Sequence, residues 1–253
     1  MSKQMLNEKT FAQTQPYQPI TIPGRPDQAA RTQVMTLNGT IGRAAFLLLI
    51  TVVCATYGWQ QADQLSDALN AIMLIGLLGL IGLSLFTAFK PQIAPLTGPV
   101  YAVVMGFWCG VISFGYEQAY DGIVLQAVFA TLAVFAACLF LYGSRIVKVT
   151  NKFRAVVGVA TLGILLMYVS AIVLGLFGVE LTFINSPSPL GILLSVAICV
   201  VAALNLFLDF HFIEVGVSRG APTFMSWYCA FGLMATLIWL YLEMLRLLGK
   251  VRG

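Results

Sequence analysis

From Gly122 to Tyr142 the chain carries no charged side chain, and similar stretches recur along almost its whole length. A run of about 20 apolar residues is what a helix needs to cross a hydrocarbon core of roughly 30 Å. Seven such runs are legible: Ile41–Trp59, Leu69–Phe89, Pro99–Tyr116, Gly122–Tyr142, Ala155–Phe177, Leu190–Phe210 and Trp227–Leu248. They are apolar on all sides, without the alternation of a membrane β-barrel strand. Only 9% of the 253 residues are charged, against about 25% in a soluble domain. A soluble enzyme, a disordered chain and a nucleic-acid-binding domain are therefore excluded. The expected fold is an all-α integral membrane bundle of seven helices, occupying residues 39–253.

Residues 1–38 read differently. Pro16, Pro19, Pro23 and Pro26 punctuate a stretch rich in Gln and Thr, which buries too little apolar surface to offset its chain entropy. It is expected to be a disordered cytosolic tail. Asn38-Gly39-Thr40 fits a turn before the first helix better than a glycosylated sequon.

Orientation follows from the basic residues. Lys3, Lys9, Arg25, Arg31, Arg43, Lys90, Arg145, Lys148, Lys152, Arg154 and Arg219 fall on one side. That side is expected to be cytosolic, with the N-terminus inside. Arg246, Lys250 and Arg252 conflict, because seven crossings put them outside; either the short tail is tolerated or the seventh segment re-enters without crossing, and a full span is expected.

Catalytic chemistry has little to work with. His211 is the single histidine, and no nucleophile elbow, phosphate loop or dinucleotide fingerprint occurs. No enzymatic activity is expected. The five cysteines lie in apolar runs without a CxxC pair, which suits packing better than disulfides.

Ionisable groups at membrane depth are the stronger signal, since burying them costs several kcal/mol and usually marks a pathway or a paired site. Asp209 sits within an apolar run, with Asn205 one turn earlier on the same face. Glu243 and Arg246 are three apart, which fits an ion pair near the interface. On the other side of the membrane, Asp63, Asp67, Glu117, Asp121 and Glu180 occur in loops without a basic residue. Such a face concentrates cations. Glu117 and Asp121 form a candidate outer cation entrance, sharing a helical face if the third helix runs on by one turn. Small residues, Gly76, Gly79 and Gly82 in the second run and Gly106-xxx-Gly110 in the third, would let helix backbones approach closely.

Several polar motifs occur in a familiar order: Pro95-Leu96-Thr97-Gly98-Pro99-Val100-Tyr101-Ala102, Tyr116-Glu117, Val149-Thr150-Asn151-Lys152-Phe153, Ala203-Leu204-Asn205-Leu206-Phe207-Leu208-Asp209-Phe210 and Trp227-Tyr228-Cys229-Ala230-Phe231-Gly232. With the ending Trp239 to Leu248, they resemble the transmembrane Bax inhibitor motif family, in its bacterial Bax inhibitor-1-like branch, over residues 35–250. The resemblance implies a seven-helix fold with the seventh helix central. It also implies a bacterial plasma (inner) membrane location and a pH-sensitive calcium leak governed by two carboxylates. The sixth-helix carboxylate carries over to Asp209. Its seventh-helix partner aligns with Thr236, which is not an acid, and Met105 stands where a glutamate is expected. Glu243 lies about 10 Å beyond Thr236 along the helix and does not replace the missing acid in register. The expected sensor and ion pathway thus comprise Asp209, Thr236, Asn205 and Glu243. Lipid, cations and a transiently bound Ca²⁺ are the expected partners, with no other cofactor. The other class of function is a non-conducting partner or modulator, for example of a membrane protease or of stress survival.

Overall fold

The computed structural model describes residues 34–65, 69–178 and 186–253. Most of the 1–38 segment, together with Asp67 and Glu180, lies outside the described residues. The helices are α1 (Leu37–Gln61), α2 (Leu69–Phe89), α3 (Ala94–Ala119), α4 (Ile123–Gly143), α5 (Asn151–Leu176), α6 (Pro189–Ser218) and α7 (Thr223–Arg252). Short 3-10 turns, Ala62–Leu65 and Pro91–Ile93, follow α1 and precede α3. Among the described residues six helices are long and apolar enough to cross a membrane, and α2 contributes the shorter apolar stretch Gly79–Phe89. The most apolar windows of α3, α6 and α7 are each 44% buried, against 22% for α1 and α4 and 11% for α5. The first three carry the core, and the others turn most of their surface outward.

The described residues divide into two compact units, one holding those of 34–112 with 209–235 and the other those of 113–208 with 236–253. In the first, the chain ahead of α1 is tied to the α6–α7 turn. Val34 forms a β-bridge with Pro222, and the Met35 amide donates to the Ala221 carbonyl at 2.7 Å. Thr36 caps α1 by accepting from the Gly39 amide at 3.1 Å. The helix therefore starts at Leu37, and Asn38-Gly39-Thr40 forms its first turn instead of a loop. Arg43 and Phe46 pack on Trp227, with Arg43 5.4 Å from the ring centroid, and the Thr51 hydroxyl donates to the Met234 sulfur at 3.5 Å. These contacts advance in step along both helices, so α1 and α7 run parallel.

Helices α1 and α3 are also parallel, and glycine sets how closely they approach. A Cβ placed at Gly106 would lie 2.5 Å from the Thr51 carbonyl oxygen. One at Gly110 would collide with the Ala55 carbonyl, and one at Gly58 with that of Phe107. The Gly106-xxx-Gly110 spacing thus does what small residues do in lipid. The α2 glycines differ. A Cβ at Gly76 would strike Trp108, but nothing lies within 4 Å of one at Gly79 or Gly82. Each three-residue step turns the direction by a net 60° or so on a helix of about 3.6 residues per turn, so the row drifts around α2 and Gly82 points about 120° away from Gly76.

In the second unit Ile123, Ala127 and Leu245 form a buried cluster, flanked by Tyr116, Tyr120 and Tyr241. Helices α5 and α6 run antiparallel through Phe153–Phe207 edge packing (6.4 Å) and an Asn205–Thr161 hydrogen bond (2.8 Å). Helix α4 ends in a Schellman turn: the Ile146 amide donates to Leu141 and the Arg145 amide to Tyr142, with Arg145 at φ 57°. That position usually belongs to glycine. A side chain there costs about 1–2 kcal/mol.

Candidate functional site

Asp209 lies on α6 with only 9% of its surface exposed, among Leu206, Phe207, Leu208 and Phe210, which are all buried. It stands nine residues from the end of α6, and Gly232 stands nine residues from the start of α7. At 1.5 Å per residue both are about 13 Å deep in their hairpin. A Cβ built on Gly232 would meet Asp209 Oδ1 at 3.8 Å, and Tyr228 and Cys229 lie within electrostatic range of the carboxylate. A carboxylate is thus held at membrane depth against the face of α7 that has no side chain at position 232.

The other expected sensor residues belong to the second unit. The two amide hydrogens of Asn205 go to Thr161 Oγ1 and to the Val201 carbonyl, both at 2.8 Å. Thr236 is half-buried on α7, one turn beyond Gly232. Glu243 is 2% exposed, and the ion pair with Arg246 forms at 3.1 Å. The Glu243 Oε1 also accepts from the Tyr168 hydroxyl at 2.6 Å, while Arg246 donates to the Tyr168 phenol oxygen. Lys250, 7% exposed, donates to the Gly191 carbonyl (3.0 Å) and to Ser195 (2.8 Å), and Arg252 donates to the Asp121 carbonyl (2.8 Å). All three C-terminal cations are engaged by the protein itself. Tyr168, Ser195 and Lys250 are the members of this cluster that the sequence did not disclose, because their partners lie on other helices.

Glu117 and Asp121 do not share a helical face. Helix α3 stops at Ala119, and Gly122 turns the chain at φ 72°. Both Glu117 carboxylate oxygens accept backbone amides at the start of α4, from Gly122 (2.6 Å) and Val124 (3.0 Å), while Asp121 stays exposed. Glu117 serves as the N-terminal cap of α4. Glu117→Ala is therefore expected to lower stability by about 0.5–2 kcal/mol, the range for lost caps, read as an earlier thermal unfolding transition in detergent. An unchanged transition would mean the cap contributes nothing.

The family model described as Bax inhibitor 1 like matches residues 3–253. The chain belongs to the Bax inhibitor 1 like family. No curated protein and no solved structure matches it. Membership together with six long apolar helices makes this Bax inhibitor 1 like chain a multi-pass integral membrane protein. Within it Asp209 is an acid buried in an otherwise apolar stretch, whereas position 236 on α7 is a threonine.

Proposed function

We propose that this protein is a non-enzymatic, pH-sensitive cation leak that passes Ca²⁺ or a similar hard cation, with Asp209 as its titrating group. The observation that carries the reading is the burial of the Asp209 carboxylate at membrane depth beside Gly232. Hard divalent cations prefer oxygen ligands, and an intramembrane acid is costly unless it serves a pathway or a pair. With threonine at position 236, Asp209 acts without a second acid there, so its own protonation sets the response. Asp209→Asn is expected to change the pH dependence of calcium flux through reconstituted protein; an unchanged profile removes Asp209 from the role.

The second reading, a non-conducting membrane partner, is favoured by the outer acids. Glu117 is committed to the α4 cap, which leaves exposed Asp121 as the remaining carboxylate of the expected entrance.

The reading includes seven crossings, an α7 surrounded by the other helices, and a cytosolic N-terminus in a bacterial inner membrane. The parallel course of α1, α3 and α7 supports the count, because α2 must then return the chain fully between α1 and α3. Helix α2 has 21 residues, about 31 Å at 1.5 Å per residue. Cysteines introduced at positions 148 and 252, in a background without the native five, are expected to react with impermeant reagent from opposite sides. Labelling of both from the cytosolic side would contradict seven crossings.

A further inference from the structure

The connection from α4 to α5 and the first turn of α5 carry Arg145, Lys148, Lys152 and Arg154, and no acidic residue occurs between Asp121 and Glu180. Arg145, Lys148 and Lys152 are exposed, and Ile146 between them is 65% exposed. On the helices leading away from this connection, large apolar side chains face outward, Phe140 on α4 (69% exposed) and Val156 on α5 (68%). Cations therefore stand at the edge of a lipid-facing apolar band, with an apolar side chain set among them. The complementary molecule has an anionic head and apolar tails.

A second observation concerns Arg145. It occupies the left-handed position of the Schellman turn at φ 57°, where glycine would be free of strain. The guanidinium lies 5.9 Å from the centroid of the Tyr142 ring, and tyrosine is a side chain enriched at the membrane interface. The fold thus tolerates backbone strain while placing a guanidinium at the level of lipid headgroups. The first turn of α5 holds no acidic residue.

We propose that the α4–α5 connection binds the headgroups of anionic phospholipids in the adjacent leaflet, with Arg145, Lys148 and Lys152 facing the phosphates. Basic residues close to a membrane surface favour anionic lipid in this way. The attraction is independent of whether the protein conducts.

The test follows thermal unfolding of the full-length protein in nonionic detergent micelles containing phosphatidylcholine, into which phosphatidylglycerol is titrated. Phosphatidylglycerol is expected to raise the unfolding temperature beyond any effect of added phosphatidylcholine. In the Lys148→Gln/Lys152→Gln protein the half-maximal phosphatidylglycerol fraction should increase by at least tenfold, about fivefold for each cation removed. Arg145→Gly should melt at the same or a higher temperature without phosphatidylglycerol, because the strain is relieved, yet gain less from its addition. Equal shifts with both lipids, variants that respond like the parent, or a shift reproduced by inorganic phosphate alone would each overturn the proposal.

Discussion

Arg246→Gln is expected to destabilise the protein by up to about 3–5 kcal/mol, the cost of breaking a fully buried ion pair by removing one partner. That cost is an upper bound here, because the Glu243 side chain is 3% exposed while that of Arg246 is 30% exposed. Glu243 is 2% exposed, so its charge would remain in the bundle with the Tyr168 hydroxyl still donating to it. Removing both charges should be far milder. Glu243→Gln/Arg246→Gln keeps an acceptor for Tyr168 and leaves no uncompensated ion, so it is expected to recover most of the loss. Thermal unfolding of the two proteins in the same detergent checks this. A double variant no more stable than the single one would mean that the pair matters through shape alone.

The second large effect is expected at Gly110. A methyl group there meets the Ala55 carbonyl, a backbone atom of α1 that cannot swing aside. Gly110→Ala must push α1 and α3 apart, and overpacking of that kind costs about 1–3 kcal/mol and sometimes more. Gly115→Ala on the same helix is the control, because nothing lies within 4 Å of its added methyl. It should be neutral or slightly stabilising, since alanine favours a helix by up to about 1 kcal/mol over glycine. Equal losses at both positions would show that glycine flexibility, and not close approach, is what α3 requires.

These two sites also mark where the sequence was informative. The Gly106-xxx-Gly110 spacing and the Glu243–Arg246 spacing are local, because residues three or four apart share one helical face, and both arrangements form. The apolar runs locate the helices for the same reason, and their ends move by a few residues where a cap such as Thr36 takes hold. Glu117 was not legible as a cap. Its role depends on α3 ending at Ala119 and on Gly122 turning back with positive φ, and no spacing rule encodes that geometry. Lys250 likewise stood in the sequence only as a cation at odds with the loop count, yet Gly191 and Ser195, more than fifty positions earlier, receive it. Asp209 stood out because a carboxylate inside an apolar run is conspicuous. Its neighbour Gly232 was not, since only the hairpin register brings the two to one depth.

The measurement that bears most directly on the account is calcium flux through the purified protein in liposomes, taken across a pH series from about 5 to 8. The account predicts a slow flux that changes with pH across that range. No flux at any pH, in liposomes where an established calcium leak is active, would contradict conduction and leave the non-conducting membrane partner as the reading.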